Sequence, residues 1–318
     1  MRSLDLSIDA AFVNGDIHTL NSDREEVAAV AVKDGRIVAL GETAEIEALC
    51  CAGTRRVDLA GGTVIPGVFD AHVHVMEMGI KLDWIALDDC ESIEEMVERV
   101  RERAEETPPG AWIIGHGWNE NDFAEDRLPT RHDVDAATTD HPVVLMRVFN
   151  KYVVNTRALE AAGIDKHTPD PSGGQIVHGA DGNPNGLLFA NAKNLVMPFL
   201  PQPSEEAMKG AVTIGTERLH SFGITSFLEP GLRPWEMGAY QALLEDGALA
   251  ARVNVMVSWY GYWCAYETDE QLAYRAQEMG IRSGFGDEWL RLGGLKMALD
   301  GGIAPHTAFM YEPFEGES

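Results

Sequence analysis

Apolar and polar positions alternate in short stretches over the first part of the chain. Ala11-Phe12-Val13, residues 27–40, residues 56–59 and residues 63–65 are rich in β formers. Lys33-Asp34-Gly35 interrupts the second stretch. An Asp-Gly step supports the positive φ values of a hairpin turn, so residues 27–40 are predicted to fold back on themselves. Gly61-Gly62 and Pro66-Gly67 then punctuate a boundary. Residues 1–66 are expected to form a small β domain.

From residue 67 the rhythm changes. Residues 68–75 are a short apolar run, and Ser92 with Glu95 has the spacing of a capping box. Ile93, Met96, Val97 and Val100 then share one helical face. Helices are predicted over 204–222 and 234–246, stopped by Gly223 and Gly247, with strands at 224–228 and 253–259. Thr268 with Gln271 opens another helix that Gly280 stops, and a strand follows at 290–299. Alternating helix and strand implies a parallel sheet with helical crossovers, hence an α/β fold. Residues 108–200 break the alternation. They are dense in Pro, Gly, Asn and Asp, with apolar stretches at 112–114 and 143–148, and are expected to be an insertion that shapes a site.

Length and charge narrow the picture. The 318 residues suit two domains, or one large barrel with an appendage. No apolar run approaches the roughly 20 residues needed to span a bilayer, and Arg2, Asp5 and Asp9 leave no core for a secretory signal. With 51 acidic against 25 basic residues the net charge is −26, a surface that repels phosphate. Neither nucleic acid nor membrane is an expected partner. Such a surface suits a salt-adapted cytoplasm, where ions screen the self-repulsion. Cys50, Cys51, Cys90 and Cys264 form no C-x-x-C pair, which fits packing thiols in a reducing, cytoplasmic setting.

Candidate chemistry lies in a few places. In Asp70-Ala71-His72-Val73-His74 the two histidines stand at i and i+2. On a strand they would project to the same side, as half of a metal site or as a chance surface pair. Lys296 sits inside an apolar strand, either snorkelling at a rim or facing a metal site, because an unpaired buried ammonium is costly. Asp300 beyond it is a cap or turn residue, or a catalytic acid. His116, Trp118, Asn119 and Glu120, interleaved with glycine, either line a substrate pocket or form a capped turn. Glu229 follows a strand where α/β barrels carry functional groups, and a structural carboxylate fits equally. The remaining histidines show no ligand-like pairing.

Together these segments resemble the amidohydrolase superfamily, and within it amidohydrolase family 3, the N-substituted formamide deformylase-like branch. Residues 13–20 look like the family's opening strand, and residues 64–74 like its first barrel strand. Residues 110–120, 128–131, 141–144, 170–174, 181–187 and 294–301 match further blocks in order. The resemblance implies a metal-dependent hydrolase (β/α)8 TIM-like barrel over 67–318 beside the N-terminal part of a β-sandwich-type domain. It implies one or two divalent metal ions, zinc by expectation, with His72, His74 and a carboxylated, catalytic Lys296 as ligands. The reaction implied is hydrolysis of a small-molecule amide or formamide C–N bond by metal-activated water, and a homodimer is a compatible assembly. A cyclic amide hydrolase or a deaminase of the same superfamily is the alternative chemistry.

Two departures stand out. Lys151-Tyr152 replaces a Gly-His that the branch usually carries near Asn150. The family's later histidines and its general-base aspartate would also fall beyond Ser318. A full barrel takes about 250 residues, so an incomplete barrel is expected, from a truncated product or a chain completed by a second polypeptide. An inactive remnant needing a partner chain is the corresponding alternative for function.

Overall fold

In the computed structural model of the protein, residues 7–23, 25–147, 151–260, 280–297 and 308–312 are described. The chain divides into two units, Met1–Phe69 and Asp70–Ser318.

In the first unit the expected hairpin forms. Ala29–Lys33 pairs antiparallel with Arg36–Gly41, and Asp34 and Gly35 turn at φ 50° and 71°. Ala10–Val13 lies between Ala29–Lys33, to which it is antiparallel, and Arg55–Asp58, to which it is parallel. Alternation along these strands sends Ala11, Val13, Ala29 and Ala31 to one side, where Ile46 of the helix Thr43–Glu47 covers them. A second sheet joins Glu26–Val27, Asp16–His18 and Thr63–Val64.

The described strands of the second unit hydrogen-bond into two sheets. In the first of them, Ile85–Ala86, Ile113–His116 and Val143–Met146 run parallel. The chain then returns antiparallel through Lys151–Val154, Pro184–Ala190 and Gly174–His178. Residues 108–200, where the helix-strand alternation of the sequence breaks, thus contribute strands to this sheet together with the short helices Arg131–Asp135 and Thr156–Ala162. All four residues of Val143–Met146 are buried, as a strand covered on both faces requires. Some of the Pro, Gly and Asn residues of 108–200 lie within these strands, Gly115, Gly174, Pro184, Asn185 and Gly186 among them, while others, such as Gly173 and Gly182 at positive φ, lie in the turns between them. Buried Asn155 locks the return: its Oδ1 accepts from Val143 N at 2.9 Å and from Ala158 N at 3.0 Å, and its Nδ2 donates to the His141 carbonyl at 2.8 Å.

The other sheet carries the α/β rhythm. Ile224–Leu232, Arg252–Tyr260 and Leu290–Met297 are parallel neighbours in that order. Helices Glu205–His220 and Pro234–Glu245 pack on it. Ser204 caps the first by accepting from Ala207 N, and Gly223 and Gly247 follow the two helices at positive φ. Phe227, Tyr240, Val253 and Val255 fill the core between layers. The helix Val75–Lys81 crosses Glu205–His220 with Gly79 against the Ala211 backbone, an approach that leaves no room for a Cβ. The helix expected at 268–280 falls on residues 261–279, outside the described ones. Among the described residues no helix is long and apolar enough to cross a membrane.

Candidate active site

The site is built where the chain leaves Val68–Asp70. His72 and His74 do not lie on that strand, which corrects the expected i, i+2 projection from a pleat. The Asp70 carboxylate accepts from His72 N at 2.9 Å, an Asx turn that bends the chain, and His74 becomes the N-cap of Val75–Lys81. The rings nonetheless converge, edge to face, with centroids 5.4 Å apart. Partial burial holds the His74 imidazole below its usual pKa, helped by charge on His72, Lys296 and Lys81 and opposed by Glu77. The neutral form, the one that can ligate a cation, is therefore favoured.

Glu229 sits beneath this turn and is 1% exposed. Its Oε2 accepts from Val75 N at 2.7 Å, Met76 N at 3.1 Å and the Tyr240 hydroxyl at 2.7 Å. Its Oε1 lies 3.7 Å from His74 Nδ1. Burial pushes the Glu229 carboxyl up to about 7, although the three hydrogen bonds oppose the rise. Glu229 thus ties the sheet to the backbone that presents His74. Of the two readings the sequence left open, the structural carboxylate is present, placed at the site itself.

Lys296 lies near the end of Leu290–Met297, paired in register with Ser258. Its aliphatic stem passes Gly231, where an added Cβ would come within 3.7 Å of Lys296 Cγ. Among the described residues no three His, Cys, Asp or Glu side chains gather to hold a metal. The ligand-type donors present are the two imidazoles, with Lys296 as a third only if its amine carries a carboxyl group. That set fits half of a zinc-type site.

Beside His74 opens a cavity of about 790 Å³. His116, Trp84, Trp112, Arg147 and Tyr152 line it together with His74 and Glu229. His116 packs against Trp84 with ring centroids 6.2 Å apart. The pocket reading therefore fits His116, but its neighbours are corrected. Trp118 is fully buried, donates Nε1–H to the Leu145 carbonyl at 3.0 Å and stacks on Phe123. Asn119 caps the turn Glu120–Asp122 by accepting from Asn121 N and donating Nδ2–H to Asp122. Glu120 is held below the usual carboxylate range: burial pushes it up, but pairing with Lys151 and Arg147 outweighs this. Glycine spacing made these four positions look equivalent, whereas the strand Ile113–His116 ends at His116 and the rest belong to a capped turn. Asp300 lies outside the described residues. Arg147, Tyr152 and Tyr240 were not singled out as site residues, and the only hint was the unusual Lys151-Tyr152 pair.

The amidohydrolase family model matches residues 55–318. YtcJ of Bacillus subtilis is 30% identical over 315 residues, covering 97% of this chain and 57% of that protein. The N-substituted formamide deformylase of Arthrobacter pascens is 30% identical over 194 residues, covering 59% of this chain and 35% of that protein. An uncharacterized metal-dependent hydrolase from Pyrococcus furiosus superposes with a TM-score of 0.71 at 25% identity, covering 96% of this chain and 59% of that one. The chain thus spans roughly half the length of relatives it matches along nearly its whole length.

Proposed function

The chain belongs to the amidohydrolase family, and on that premise we propose that it serves the hydrolysis of a small-molecule amide or formamide C–N bond with a divalent metal, zinc, held by His72, His74 and a carboxylated Lys296. The observation that carries this reading is the convergence of the two imidazoles, 5.4 Å apart, beside a cavity of substrate size. A (β/α)8 barrel, a cytoplasmic location and the absence of nucleic-acid and membrane partners belong to the same reading.

The chain's own residues have definable tasks. Asp70 bends the backbone so that His72 turns toward His74. Glu229 and Tyr240 fix the first turn after His74, so its imidazole is presented without reorganisation. Partial burial keeps that imidazole neutral and able to ligate. Carboxylation turns Lys296 from a cation into an anion and removes one positive charge near His74. His116 and the indoles of Trp84 and Trp112 offer a polar group and apolar faces to a bound amide. When bound, the metal supplies Lewis acidity toward a carbonyl and lowers the pKa of water.

The test is elemental analysis of purified chain beside His72→Ala/His74→Ala, with amine release from a panel of formamides and amides. Near-stoichiometric zinc, lost in the double variant, is the expected result. A folded chain that takes up no metal overturns the reading.

A further inference from the structure

We propose that Tyr152 sets substrate specificity by donating a hydrogen bond to an uncharged acceptor oxygen on an apolar part of the substrate, away from the bond that is cleaved. This inference rests on the amide-hydrolase reading above and narrows its substrate class to neutral amides that carry a second, hydrogen-bond-accepting group.

The sheet register builds this part of the wall. His116 pairs with Met146, and Met146 pairs with Tyr152, so the three form one row across three adjacent strands. Directly paired residues send their side chains to the same face of a sheet, and all three line the cavity. Ile114 and Val144, two positions before His116 and Met146 on their strands, join Met146 and Tyr152 in one apolar cluster, as a shared face requires. Neighbouring strands stand about 4.8 Å apart, so the His116 and Tyr152 backbones are roughly 10 Å apart with Met146 between them. Tyr152 is 5% exposed, yet its hydroxyl has no hydrogen-bond partner among the described residues. A buried phenol ordinarily finds a partner, so one left open on a cavity wall points to a ligand group. Burial raises this phenol above its ordinary range and Glu77 adds to the effect, so the hydroxyl stays protonated and donates. The His116 ring meets Trp84 and likewise has no hydrogen bond among the described residues, which leaves a second polar group at the other end of the row.

The wall suits a neutral group. Five acidic and four basic side chains line the cavity, and most are already matched. Glu77 pairs with Lys81 at 2.5 Å, Glu236 with Arg233, and Arg147 with Glu120 at 2.6 Å. Arg103 donates Nη1–H to the Asp83 carbonyl at 2.8 Å, and Glu229 is held by backbone amides and Tyr240. The Asp83 and Asp88 carboxylates lie exposed to solvent. Lys193, with its Nζ 5.8 Å from the Tyr152 ring centroid, does not line the cavity. An ionised substituent would therefore lose hydration against this wall without gaining a counter-ion. The Met146 thioether between the two polar ends offers an adaptable apolar surface for a flat frame that carries the acceptor.

The test is calorimetric titration of the chain with N-(4-acetylphenyl)formamide and N-(4-isopropylphenyl)formamide, which match in shape and differ in one acceptor oxygen. The affinity of the first relative to the second is expected to fall about fivefold or more in Tyr152→Phe, the scale of one neutral hydrogen bond. A third probe, 4-formamidobenzoate, should bind the parent chain more weakly than the acetyl compound. Tyr152→Phe keeps the ring in the core and removes no bond within the chain, so its urea midpoint should equal or exceed that of the parent. A ratio that Tyr152→Phe leaves unchanged, absence of binding by both formamides, or tighter binding of the carboxylate overturns the proposal. So does a lower urea midpoint for Tyr152→Phe, which would show the hydroxyl already bonded within the chain. Hydrolysis is followed separately, as release of the aryl amine. Binding that depends on Tyr152 with no cleavage of any amide sinks the hydrolase and leaves the Tyr152 contact; cleavage of both formamides with a ratio indifferent to Tyr152→Phe sinks the contact and leaves the hydrolase.

Discussion

Tyr240→Phe isolates one hydrogen bond to the carboxylate beneath His74. Tyr240 is fully buried, and its hydroxyl donates to Glu229 Oε2 at 2.7 Å. Phenylalanine keeps the ring and opens almost no cavity, so the transfer and packing terms of a core truncation stay small. What is lost is one of the three donors on a single oxygen of a carboxylate that is 1% exposed. Hydrogen bonds to charged groups contribute about 1.5–3 kcal/mol, and water cannot readily replace a donor at this depth. The variant is therefore expected to lose about 2 kcal/mol in urea unfolding at pH 8, where Glu229 is ionised. Adding Glu229→Gln closes a double-mutant cycle, with a coupling of about 0.5–3 kcal/mol expected for direct partners. A loss under about 0.5 kcal/mol, or no coupling, would refute the assignment of Tyr240 as the third donor and with it the view that the sheet holds His74 through Glu229.

Other expectations follow from single features. Gly79→Ala places a Cβ on the Ala211 backbone, so the two helices must separate; a loss above about 2 kcal/mol is expected by urea unfolding, and a neutral result would mean they are not in contact. Alkylation at pH 8 mapped by mass spectrometry should find Cys51 modified well before Cys90. Hydrogen bonds from Thr54 and Gly53 lower the exposed Cys51 thiol, whereas burial raises Cys90 to about 11, leaving little thiolate there. Melting temperature should rise from 10 mM to 1 M KCl, because the Debye length falls from about 30 Å to about 3 Å and the repulsion of a net −26 chain is screened; identical melting in both would remove the link between this surface and salt.

Local chemistry was legible where one stretch of chain decides it. The turn at Asp34-Gly35, the cap at Ser92 and the stops at Gly223 and Gly247 depend on neighbours a few residues away. The face Ile93, Met96, Val97 and Val100 is buried as its spacing requires. The sheet within 108–200 was not legible, because its short strands are held by cross-chain ties such as Asn155 to Val143, and dense turn residues hid them.

The histidine pair shows why a correct expectation can rest on the wrong cause. Strand alternation would bring His72 and His74 to one side, but the strand ends at Asp70. Convergence comes instead from the Asp70 turn and from Glu229, which reaches Val75 N from 154 residues away in sequence. A pleat would have fixed the ring spacing through the backbone alone. Here it is set by two carboxylates that appear in no H-x-H pattern, so the geometry of the pair depends on residues outside the motif. Substituting Asp70 or Glu229 should therefore disturb the pair as surely as changing a ring, whereas changing Val68 or Phe69, earlier on the strand, should not.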